Sequence, residues 1–75
     1  MTKVSVELGG VEEVAGFINI LNKYEYECDL RCGSYYVDAK SLLGVLTLHN
    51  SSDVELIIHA DKPDELLKNI EQYRI

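Results

Sequence analysis

The sequence predicts an α+β fold: a four-stranded antiparallel sheet covered on one face by three helices, in the order β-α-β-β-α-β-α. Two observations carry this expectation. Four short stretches alternate apolar with polar residues, and three others repeat apolar residues at helical spacing. Each alternating stretch also has only one apolar side, as in an antiparallel sheet with one face packed on helices and the other in water. The 75 residues set a bound of one domain, 1–75, because a chain this short buries only about 60% of its unfolded surface and its core is thin.

The elements follow in order. Val4, Val6 and Leu8 alternate with Lys3, Ser5 and Glu7, and Gly9-Gly10 ends that strand. From Val11 the spacing becomes helical through Val14, Phe17, Ile18 and Leu21, with Glu12 and Glu13 in the first turn, where they complement the helix dipole. Tyr26, Cys28, Leu30 and Cys32 alternate with Glu27, Asp29 and Arg31. Gly33-Ser34 is a turn signal, and Tyr35-Tyr36-Val37 restarts a strand, so a hairpin is expected. Tyr24, Tyr26, Tyr35 and Tyr36 are expected to pack across its strands. Ser41 to Leu48 is a short helix with Ser41 as N-cap, and Asn50-Ser51-Ser52-Asp53 is a loop. Val54, Leu56, Ile58 and Ala60 mark the fourth strand. Asp61 is expected to cap a last helix with Pro63 in its first turn and Leu66, Leu67, Ile70 and Tyr73 on its apolar face.

Composition excludes several functions. Seven basic against thirteen acidic residues give a net charge of −6, a surface that repels phosphate backbones and anionic lipid, so neither nucleic acid nor membrane is an expected partner. No apolar run approaches the roughly 20 residues of a membrane span. The N-terminal stretch has no signal-peptide core, which makes the cytoplasm the expected location. Cys28 and Cys32 lie about 13 Å apart if the strand is extended, too far for a disulfide. With no other ligand at suitable spacing, no metal site is expected, and nothing points to a cofactor. No Ser/His/Asp or Cys/His arrangement stands out, so the chain is not expected to be an enzyme.

The element order and the stretch Val37-Asp38-Ala39-Lys40-Ser41-Leu42-Leu43-Gly44-Val45-Leu46-Thr47-Leu48 resemble the HPr phosphocarrier family of the bacterial sugar phosphotransferase system. Glu55-Leu56-Ile57-Ile58-His59-Ala60 is similar to that family's fourth strand. The resemblance implies an open-faced β-sandwich. It also implies a departure, because the family carries a Gly-x-His-x-Arg-Pro-like motif at the start of its first helix. Here the corresponding residues are Leu8-Gly9-Gly10-Val11-Glu12-Glu13: Gly10 stands at the histidine position, Glu12 at the arginine position and Glu13 at the proline position. Glycine has no nucleophile, and two carboxylates oppose a phosphoryl group at a helix end that otherwise favours anions. Histidine phosphotransfer is therefore not expected at this site. His49 follows the second helix, and His59 alternates with inward residues at the far end of the fourth strand, so neither is placed to substitute.

Two features of the second helix remain. Ser41 is an N-cap by its residue type, and no carboxylate follows it in the first turn while Lys40 precedes it, so a phosphate there would be electrostatically favoured. The resemblance makes Ser41 a regulatory phosphorylation site for an HPr kinase. Leu42, Leu43, Val45, Leu46 and Leu48 are too many apolar residues for one buried stripe. Val45 and Leu48 are expected in the core, with Leu42, Leu43 and Leu46 left in part as a contact surface beside Lys40. The reading is a regulatory protein-binding module. The resemblance implies HPr kinase, a transcriptional regulator of carbon catabolite control or a metabolic enzyme as its partner. The rival readings are a genuine phosphocarrier using a displaced histidine, and an HPr fold reused as an oligomerising or ligand-binding scaffold.

Overall fold

The computed structural model describes residues 1–48 and 51–75. Its elements are β1 (Thr2–Val6), α1 (Val11–Leu21), β2 (Cys28–Cys32), β3 (Tyr35–Asp38), α2 (Leu42–Leu46), β4 (Val54–Ile58) and α3 (Asp64–Asn69), followed by a 3₁₀ turn at Glu71–Tyr73. The strands form one antiparallel sheet in the order β1-β4-β2-β3. This is the expected open-faced sandwich.

Register explains which residues share a face. Val4 pairs with Leu56, and Leu56 pairs with Leu30, so the three point to the same side under the helices. Val6, Leu30, Val54, Leu56 and Ile58 are buried there with Val14, Phe17, Ile18 and Leu21 of α1, Val45 of α2 and Leu66 of α3. On the other face Arg31 pairs in register with Glu55 and donates to its Oε1 from Nε at 3.1 Å and Nη2 at 2.9 Å. The sheet order also fixes the ends. The close of β1, the start of β4 and the Gly33 turn lie at one end, where α1 begins. Thr2, Cys28 and Ile58 lie at the other.

The chain terminus secures the first of these ends. Tyr73 accepts from the Glu7 amide at 2.8 Å, Val6 bridges to Arg74, and the Ile75 amide donates to Ser5 at 3.2 Å. The Tyr73 ring meets Phe17 edge-on at 5.3 Å. A β-carbon on Gly16 would lie 2.8 Å from the Tyr73 hydroxyl, so any larger residue there must displace the tyrosine.

Several boundaries differ from expectation. The last helix is not capped by Asp61, whose carboxylate instead receives the Met1 ammonium at 3.1 Å. Pro63 holds the cap position and Asp64 starts the helix, consistent with proline's missing N–H and fixed φ. Val11 lies on the helical period yet is 59% exposed, because it precedes the turn that reaches the core. Tyr24 and Tyr26 stack on each other at 6.0 Å before β2 begins, while Tyr35 and Tyr36 stay exposed. The four tyrosines thus do not pack as one cross-strand group.

Candidate functional site

The start of α1 is built by Leu8-Gly9-Gly10. Gly10 is the N-cap, with an extended backbone, and its carbonyl receives the Val14 amide at 3.1 Å. Having no side chain, it cannot satisfy the free amides of the first turn. Glu13 reaches back instead, and its Oε2 accepts from the Gly10 amide at 3.0 Å. A β-carbon on Gly10 would sit 3.2 Å from that oxygen, and one on Gly9 would sit 3.5 Å from the Glu13 carboxyl carbon. The space over this helix end is therefore held by the chain's own carboxylate. The carboxylates of Glu12 and Glu13 together make it an anionic corner. The Gly10-x-x-Glu13 spacing carried the signal for this contact, since it is the return half of a capping box.

Ser41 caps α2 as expected: its Oγ accepts from the Gly44 amide at 3.3 Å, and its carbonyl takes the Val45 amide at 2.9 Å. α2 packs closely on β3 at Gly44, where a β-carbon would lie 3.3 Å from Cβ of Val37. No acidic residue occupies the first turn. The Lys40 ammonium is not directed at Ser41. It donates to the Tyr24 carbonyl at 2.6 Å, half-buried, and so ties the α2 entrance to the chain leaving α1. Sequence reading has no signal for that bond, which depends on where the first helix ends in space.

The division of the α2 leucines follows the expected arcs. Val45 is fully buried and Leu48 is 6% exposed, whereas Leu43 is 80% exposed and Leu42 46%. Leu46 is half-buried against the core. The structure thus brings Ser41, Leu42 and Leu43 to the surface of α2, with Leu46 partly beneath them and Lys40 turned toward α1.

His59 lies beyond β4 at the sheet end opposite Gly10. It faces outward, with Nε2 2.8 Å from Asp29 Oδ2. Position 49 lies outside the described residues. Both cysteines are free thiols. Burial pushes the Cys28 thiol up to about 11. Among the described residues no group of three or more His, Cys, Asp or Glu side chains is arranged to hold a metal, and no helix is long and apolar enough to cross a membrane.

A four-stranded antiparallel sheet covered on one face by three helices is the HPr-like open-faced sandwich. Residues 11–73 match the family described as "PTS HPr component phosphorylation site", and the chain belongs to this HPr family of the phosphotransferase system. Family members interact with proteins of that system. Solved structures of similar fold include HPr-C-His from Thermoanaerobacter tengcongensis, 23% identical over 96% of this chain and 89% of that one, with a TM-score of 0.76. A mycoplasma histidine-containing phosphocarrier protein is 13% identical over 95% and 89%, with a TM-score of 0.71. The Bacillus subtilis catabolite repression protein Crh, described as a domain-swapped, intertwined dimer, is 20% identical over 100% and 92%, with a TM-score of 0.68. No curated protein matches the sequence significantly.

Proposed function

We propose that this chain is an HPr-type regulatory protein, bacterial and cytoplasmic, which no longer carries phosphate on histidine. Residues 1–75 act as one unit with no catalytic role of their own. It binds a protein partner through the exposed Leu42 and Leu43 of α2, with Leu46 beneath and Lys40 holding the entrance, under the control of phosphate on Ser41. The partner belongs to the class implied by the family: HPr kinase, a catabolite-control regulator or a metabolic enzyme.

One observation carries this reading. The Glu13 carboxylate is folded back over the start of α1, where its Oε2 accepts from the Gly10 amide at 3.0 Å and its charge opposes a phosphoryl group, and Gly10 offers no ring nitrogen. Phosphorylation at Ser41 meets no such obstacle, because the first turn of α2 lacks an acidic side chain and its free amides favour added negative charge. Lys40 supports the serine through the fold rather than through its charge. The exposed leucines support a contact surface, since adjacent large apolar side chains left in water on a small chain mark such surfaces more often than chance.

The test is phosphoryl uptake from phosphoenolpyruvate with the first enzyme of the phosphotransferase system and an active HPr as control. The expected result is no acid-labile phosphate on this chain. Acid-labile phosphate on His59 or at position 49 would instead establish a working carrier with a displaced histidine.

A further inference from the structure

The solvent side of α1 carries a pattern that the partner-binding reading does not use. Val14, Phe17, Ile18 and Leu21 face the core, and the Tyr73 hydroxyl covers Gly16 on one flank. At about 100° per residue, the outward ridge is Glu12, Ala15, Asn19 and Lys23, at steps of three, four and four. All four are exposed. Lys23 follows the helix proper, but the Asn22 amide still bonds to Ile18 and the Lys23 amide to Ile20, so the winding continues to it. Among the described residues, the side chains of Glu12 and Lys23 enter no ion pair or hydrogen bond within the chain. The ridge thus has an unpaired anion at one end, an unpaired cation at the other, and a small and a neutral residue between. Its charges are separated by about 16 Å along the axis.

A ridge of this kind is complementary to its own two-fold image. Turned antiparallel, a second copy places its Lys23 at Glu12 and its Glu12 at Lys23, with Ala15 opposite Asn19. The alanine allows helix axes to approach within about 8–10 Å. The flank of α1 turned away from Tyr73 carries Val11 and faces α2, which packs on α1.

We infer that this chain self-associates, two copies packing α1 antiparallel to α1 across the Glu12–Ala15–Asn19–Lys23 ridge. A narrow ridge of four side chains falls short of the roughly 800 Å² per partner of a stable interface, so the dimer is weak and concentration-dependent. Its dissociation constant is expected on the order of 0.1–1 mM. The inference stands apart from the partner reading, since it needs no partner and no phosphate.

The test is sedimentation equilibrium of the whole chain from about 20 µM to about 2 mM, bracketing that affinity. Glu12→Lys and Lys23→Glu shift the net charge in opposite directions, yet each is expected to weaken the dimer about fivefold or more, because each turns two attractive contacts into like-charge ones. The double variant Glu12→Lys/Lys23→Glu keeps the native net charge and is expected to return to within about twofold of the starting affinity. Circular dichroism confirms that each variant is folded. A monomer throughout the range, a dimer insensitive to either single change, or a double variant no tighter than the singles would overturn the inference and leave the partner reading untouched.

Discussion

On the proposed reading, a histidine placed at position 10 is expected not to make a carrier without changes at Glu12 and Glu13. In Gly10→His the new ring emerges where a β-carbon already lies 3.2 Å from Glu13 Oε2. A phosphoryl group on that ring carries close to two negative charges and faces Glu12 and Glu13. At about 4 Å in water each unit charge pair costs about 1 kcal/mol, and salt and side-chain rotation reduce four such pairs to about 2 kcal/mol in all. That is roughly a thirtyfold penalty on the phosphorylated form. The triple variant Gly10→His/Glu12→Arg/Glu13→Pro, which restores the family pattern, removes both carboxylates and adds a cation. Phosphoramidate, a small chemical donor, eliminates any requirement for enzyme docking, and ³¹P NMR reads histidine phosphate directly. The single variant is expected to accumulate at least tenfold less phosphohistidine than the triple, and to lose it faster. Equal uptake by the two variants would refute the argument that the acidic corner opposes phosphate.

Four further outcomes follow from packing and burial. Gly16→Ala drives a β-carbon to 2.8 Å from the Tyr73 hydroxyl and is expected to destabilise by about 1 kcal/mol despite alanine's better helix propensity; in a Tyr73→Phe background, urea titration should show the same change neutral or stabilising. Cys28 has its thiol raised from 9.0 to about 11 by burial, so the native state holds its proton after the unfolded chain has lost it. The associated stability is intact below pH 9 and lost between about pH 9 and 11, by at most about 3 kcal/mol; thermal melts of Cys28→Ala should lack that component of the alkaline decline, and an undiminished decline would contradict it. Ser41→Ala removes the acceptor for the Gly44 amide and should cost about 1 kcal/mol, whereas Leu43→Asp at an 80% exposed site should change stability by less than about 0.5 kcal/mol.

Much of the fold was legible because strand and helix periods leave different marks on a chain this short. Val54, Leu56 and Ile58 announced the central strand, and the division of Val45 from Leu43 followed from 100° steps alone. Long-range polar contacts left no such mark. Asp61 has the composition of a helix cap, but the Met1 ammonium arrives beside it through the β1–β4 pairing. Lys40 has the composition of a surface charge, but the Tyr24 carbonyl takes it. His59 read correctly as outward, while its Asp29 partner required knowing that β2 and β4 are neighbours. At the candidate site, the sequence shows glycine at position 10, where the family resemblance places a histidine. The Gly10-x-x-Glu13 spacing also holds the signal for the carboxylate that folds back onto the Gly10 amide.

The proposed function rests on a serine switch at Ser41 in an HPr-type chain whose first helix begins with glycine. It is tested by incubation with an HPr kinase and ATP, followed by intact mass and peptide mapping with an active HPr alongside. One added phosphate is expected, on Ser41, and none in Ser41→Ala. An unmodified chain beside a fully phosphorylated control, or phosphate at another residue, would contradict it.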